Sequence, residues 1–140
     1  LKKKAVIVIV CVVVAVFLGF GGKVLHDTAR YQKVIADTVI ATPDISLVQD
    51  GVYNGFFDAG LISVDVDVVV KGHRIAGITI NEHHNGRGAS AEVITEDVIL
   101  NQTLDVDTVS GATNSSKVIL KAIELALEEG VPESGGRQAQ

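Results

Sequence analysis

Residues 5–22 carry no charged or polar side chain except Cys11, and this run constrains the fold more than any other stretch. As a helix at about 1.5 Å per residue it extends roughly 27 Å, close to the thickness of a bilayer core. Lys2, Lys3 and Lys4 precede the run and Lys23 closes it. A cleaved signal peptide is the rival reading, with an apolar core of about 7–15 residues ending in a small-residue cleavage site. Here the run is longer and is followed by Gly21-Gly22-Lys23-Val24, so an uncleaved membrane anchor is expected. Cys11 reads as apolar filler, because Val10 stands where a lipoprotein signal wants a small residue. Three lysines ahead of the span predict an N-terminus in the cytoplasm and the rest of the chain outside, on a cytoplasmic membrane crossed once.

The remaining residues are acidic. All seventeen acidic side chains lie beyond residue 22, with nine basic ones, a net charge of −8. This argues against nucleic acid as a partner and against close adhesion to an anionic membrane surface. A single cysteine, inside the apolar run, leaves no disulfide framework, iron–sulfur ligand set or Cys-type zinc site. No metal site is expected, and an organic cofactor is the natural alternative to an intrinsic metal centre. At 140 residues there is room for one domain.

The pattern along the chain is legible in outline. Residues 23–41 read as a helix leaving the membrane, ended by Thr42-Pro43-Asp44, since the residue before proline resists helical geometry. Residues 51–57 read as a strand. Residues 62–70 alternate more cleanly, with Ile62, Val64, Val66, Val68 and Val70 on one face and Asp65 and Asp67 on the solvent side. Residues 71–73 are a turn, and residues 74–80 resume the alternation with Ala76, Ile78 and Ile80 on one side, giving an antiparallel hairpin. Residues 89–100 look helical with Ala89, Val93 and Leu100 on one face, and Asn101 ends the helix in a left-handed conformation. Leu104-Asp105-Val106 is a short strand or extended piece. A last helix runs from about residue 115 to 129, with an apolar stripe of Val118, Ile119, Ala122, Ile123, Ala126 and Leu127. The expected class is α+β: an N-terminal transmembrane helix, then a small antiparallel sheet with helices packed on one face. The expected divisions are 1–22 for the lysines and anchor, 23–49 for a helical linker, 50–130 for the domain and 131–140 for a disordered tail.

The chemistry concentrates in Asp107-Thr108-Val109-Ser110-Gly111-Ala112-Thr113-Asn114-Ser115-Ser116. Thr113 is a hydroxyl beside a glycine turn, just ahead of an amphipathic helix. A helix start offers unpaired N–H groups and the positive end of a dipole, where a phosphate is held. Gly111 permits close backbone approach and Ala112 leaves space, while Ser110, Asn114 and Ser115 offer hydrogen bonds to phosphate or ribityl oxygens. No base stands beside Thr113, so the pattern points to a residue that receives a phosphate-linked group and not to a hydrolase. The bland alternative is a Ser/Asn-rich helix cap with Ser115 as N-cap.

Asp-x-x-Ser-Gly-Ala-Thr-x-Ser-Ser resembles the flavinylation motif of the FMN-binding domain family, which includes the flavin subunits of sodium-pumping NADH:quinone oxidoreductases and Rnf-type complexes. The likeness spans roughly residues 51–129 and not the first fifty. It implies that Thr113 carries FMN through a phosphoester bond, and that Ser110, Gly111 and Ala112 form the turn. It also implies that Asp107 is read by a separate magnesium-dependent flavin transferase, which takes the FMN from FAD. A glycine-bearing loop lies near the flavin in such domains. By that analogy Arg87 would meet the phosphate or the N1–C2=O edge of the ring, and His84 would lie against the ring. A solvated polar loop explains the same residues, and His83-His84 lack a third ligand for a metal. Tyr53, Phe56 and Phe57 read as packing on the sheet, with stacking on the flavin as the other reading.

The resemblance implies a membrane-anchored electron-transfer flavoprotein with membrane or extracytoplasmic redox proteins as partners, a carrier or a subunit of a redox complex more than a complete enzyme. Two alternatives remain: an FMN-dependent reductase that binds FMN reversibly, and a flavin-free membrane-tethered interaction module.

Overall fold

The computed structural model describes residues 2–84, 86 and 88–132. Arg87 and residues 133–140, which make up most of the expected tail, lie outside the described residues.

The apolar run and the stretch after it form one continuous helix, α1 (Lys2–Asp37). It is long and apolar enough to cross a membrane. The protein does not cover its apolar side chains: Phe17 is 75% and Phe20 71% exposed. Only Tyr31 and Ile35 of this helix are buried. The helix stops at Asp37, short of residue 41, because the chain beyond it is drawn elsewhere. Thr38 folds its hydroxyl onto the Val34 carbonyl, and Thr42 Oγ1 takes up the Leu104 N–H at 2.9 Å.

Three antiparallel strands follow, β1 (Gly51–Asp58), β2 (Ser63–Lys71) and β3 (Arg74–His84), in that spatial order. Val64, Val66, Val68 and Val70 are fully buried, each contributing about 1.5–3 kcal/mol over an exposed position. The β2–β3 turn is Gly72-His73 with both φ values positive, as a two-residue hairpin loop matched to sheet twist requires. Asp50 accepts the His73 N–H. The backbone N–H groups of Gly72 and then His73 hold its carboxyl below the usual range. On the open sheet face Asn54 donates to both Asp65 and Asp67 at 2.9 Å, and Asn81 donates to Asp65. The paired carboxylates are therefore held by amides.

Two bulges in β3 correct the expected alternation. Val69 pairs with Gly77 and Val70 with Ile75, so Ala76 is the extra residue. Ile75 is buried and Ala76 exposed. Asp65 pairs with Glu82 and Val66 with Ile80, so Asn81 is the second insertion. One added residue exchanges the faces of everything after it. His83 thereby turns inward and His84 outward.

The helical stretch after the loop is a 3-10 turn (Ala89–Val93) leading into α2 (Ile94–Asn101). Its buried face is Ala91, Ile94 and Val98, whereas Val93 and Leu100 are exposed. The left-handed residue is Gln102 and not Asn101. The Gln102 amide explains the shift, because it bonds both the N–H and the carbonyl of Ile75 at the start of β3. Residues 104–106 form no strand: Leu104 sits in a bend and Asp105 and Val106 have no regular structure. The last helix, α3 (Thr113–Glu129), buries the whole expected stripe. It lies directly on β1: a Cβ at Gly55 would stand 2.0 Å from the Ala122 carbonyl oxygen. The class is α+β, a long apolar helix followed by a three-stranded antiparallel sheet packed against helices.

Candidate functional site

α3 begins at Thr113, two residues before the expected start, with Ala112 at the N-cap. Ala112 has no side chain to cap with, and the first turn holds no acidic residue. Ser115 is therefore not the cap but lies inside the helix, 2% exposed. The first helical bond runs from the Ser116 N–H to the Ala112 carbonyl. The N–H groups of Thr113, Asn114 and Ser115 thus have no helical acceptor, and the positive end of the dipole is uncompensated.

The turn before the helix is locked by Ser116. Its Oγ accepts the Val109 N–H at 3.0 Å and donates to the Ala112 carbonyl at 3.0 Å, while the Ala112 N–H closes onto the Val109 carbonyl. Ser116→Ala strands the Val109 N–H. We expect a loss of about 1–3 kcal/mol, read as a lower urea midpoint. Gly111 sits in the turn at φ +78, with nothing within 4 Å of an added Cβ. The cost of a side chain there is backbone strain alone, about 1–2 kcal/mol.

A cleft of about 380 Å³ opens on this helix start, lined by Tyr31, Ile62, Gly88, Gly111, Ala112, Thr113, Asn114 and Ser115. That volume is in the range of small-molecule sites. None of the described lining residues is charged, so among them an anion would be held by backbone N–H groups and hydroxyls. The cleft carries three hydroxyl side chains. Tyr31 and Ser115 are buried, whereas Thr113 is exposed and reachable from solvent. The Ser115 hydroxyl has no hydrogen-bond partner among the described residues and faces the cleft.

The structure thus brings Gly111, Ala112, Thr113, Asn114 and Ser115 together. Ser110 is exposed in the turn and does not line the cleft. Asp107 lies in a different cleft of about 570 Å³, with Asp97, Asn101, Thr103, Asp105 and Val106. His84 points outward, near Ser63 and 3.5 Å from Glu82, and does not line the site. The bulge at Asn81 accounts for that placement. His83 is the inward residue, and its Nδ1 meets Glu92 at 2.8 Å. Arg87 lies outside the described residues. Tyr53, Phe56 and Phe57 are absent from the cleft. Tyr31, Ile62, Gly88 and the Ser116 lock were not anticipated as site residues. A Tyr31–Val34–Ile35 stripe at helical spacing marks a docking face on α1, but no sequence signal says what it docks against.

A family model described as FMN-binding domain matches residues 59–128. No curated protein matches the chain. No solved structure matches it.

Proposed function

Since this chain belongs to the FMN-binding domain family and so has a flavin-binding role, we propose that it holds FMN covalently on Thr113 and serves as a membrane-anchored electron carrier. The carrying observation is that, among the described residues, Thr113 is the one hydroxyl residue that both lines the cleft and is exposed. A residue esterified by a second protein has to meet both conditions.

The described residues suit this group. Free N–H groups at the start of α3 and the Ser115 hydroxyl receive the phosphate oxygens. Thr113 Oγ would hold the group as a phosphoester of FMN, formed at the expense of the pyrophosphate bond of FAD, with AMP as leaving group taking up the threonine proton. A magnesium-dependent transferase performs that step and reads Asp107, which is exposed on the flank of the motif. When bound, FMN supplies the redox chemistry, and the protein supplies attachment, position and electrostatics. Among the described lining residues no side chain is cationic, and what they offer a phosphate is the N–H groups and dipole at the start of α3. α1 crosses the cytoplasmic membrane once, with Lys2, Lys3 and Lys4 inside, and keeps the domain outside near membrane redox partners at high effective concentration.

Flavin fluorescence on a denaturing gel, with protein from a host that contains the transferase, separates the readings. A covalent carrier fluoresces after denaturation. A reversible FMN-dependent reductase loses its flavin, and an interaction module never has any. Gly111 gives a finer test. Gly111→Val forces a β-branched residue into a left-handed position, so the fluorescent band should vanish while the chain still inserts in the membrane. Gly111→Asn, which tolerates that conformation, should retain most of it. Full labelling of the valine variant would show that the turn does not need its glycine.

A further inference from the structure

One wall of the cleft comes from the helix that carries the apolar run. Tyr31 of α1 is 7% exposed and lines the cleft together with the motif residues. It also borders a second space of about 230 Å³ with Asp27, Arg30, Gly60 and Leu61. Tyr31 thus borders both spaces. Tyr31 makes no hydrogen bond to another described residue, and its hydroxyl is not among the buried unpartnered atoms, so the ring is packed while the oxygen keeps contact with solvent. The other tyrosine, Tyr53, is satisfied, donating to the Gln49 carbonyl at 2.9 Å.

Tyr31 is held in this place. Ile35, one turn on, is 5% exposed. Lys117 reaches the Ile35 carbonyl at 3.5 Å and Lys121 the Val39 carbonyl at 3.2 Å. Lysines at the C-terminal end of a helix meet its negative pole. Lys117 itself stands one turn after Thr113, so the clamp on α1 and the attachment point share a helix.

We infer that Tyr31 is a positioning residue of the flavin site, packing its ring against the isoalloxazine. The inference rests on the flavin reading above. Tyr31 lies outside the residues matched by the family model, so nothing in that match assigns it. The consequence is that the membrane helix is also a wall of the cofactor site. Tyr31 stands nine residues past Gly22, about 14 Å along the axis of an unbroken helix. The ring is thereby kept at a fixed height above the apolar run, which suits a redox partner at the membrane surface.

The test uses the full-length flavinylated protein in detergent. An excited flavin takes an electron from a phenol in contact and returns it, which quenches fluorescence with no net chemistry. Phenylalanine has the same shape but does not give up that electron. The chain contains no tryptophan and only one other tyrosine, near Gly130 at the far end of α3. Tyr31→Phe should brighten the flavin several-fold and lengthen its lifetime at unchanged flavin content. Tyr31→Trp, which keeps an oxidisable ring, should stay dark, and Tyr53→Phe should change nothing. Unchanged fluorescence in Tyr31→Phe would overturn the inference while leaving the flavin reading intact. Unsubstituted protein without flavin would overturn both.

Discussion

Thr113→Ala yields a folded, membrane-inserted protein with no flavin that survives denaturation. The side chain is exposed, it makes no hydrogen bond among the described residues, and alanine is the better helix former. Stability should therefore change by no more than a few tenths of a kcal/mol. Attachment should fall below detection, because Ser110 lies outside the cleft and Ser115 is buried. Neither neighbouring hydroxyl can substitute. In-gel fluorescence normalised to protein checks the first expectation, and thermal unfolding followed by circular dichroism checks the second. Thr113→Ser retains the oxygen and should restore a labelled band.

Gly55→Val should have the largest effect on the fold. A Cβ at residue 55 meets the Ala122 carbonyl oxygen at 2.0 Å and the Ala126 N and Cβ at 2.9 Å. The obstacle is helix backbone, which cannot rotate aside as a side chain would. α3 has to lift from β1, opening the core around Ile119, Ile123 and Leu127, all fully buried. We expect a loss of about 3 kcal/mol or more, a fall in melting temperature on the order of 10–20 °C for a domain this size. Gly55→Ala should be intermediate. Because the same helix presents Thr113, labelling should fall with the fold in these variants. In Thr113→Ala it is lost with the fold intact.

Those two positions differ in how far the sequence discloses them. Thr113 stands in a motif whose residue types carry their own chemistry, and β2 announces itself by the strict alternation from Val64 to Val70. Both signals are local. Gly55 reads as an unremarked glycine in a strand, since its role is set by a helix some seventy residues on. The bulges at Ala76 and Asn81 are likewise invisible along the chain. Each is one extra residue relative to β2, and only the pairing shows which residue is extra. That is why Ile75 replaces Ala76 in the core, and why His84 faces outward away from the cleft. The start of α3 at Thr113, ahead of the residue 115 that composition suggests, has a physical reason too. Ser115 has the composition of an N-cap, but Ser116 already closes the turn at Val109 and Ala112, so the helix begins earlier and uncapped. Tyr31 is the clearest long-range case. Its stripe on α1 shows that it packs, while its place in the cleft depends on contacts with α3 far along the chain, Lys117 at the last turn of α1 and Lys121 just beyond it.

Everything proposed for this protein depends on a bond between one oxygen and one phosphorus. Protein isolated from membranes of a transferase-containing host, denatured, digested and fragmented by tandem mass spectrometry, tests it directly. The predicted result is a peptide heavier by FMN less water, with fragment ions that place the added mass on Thr113. A peptide spanning residues 107–117 found only at its unmodified mass, or the mass located on Ser110 or Ser115, would contradict the account.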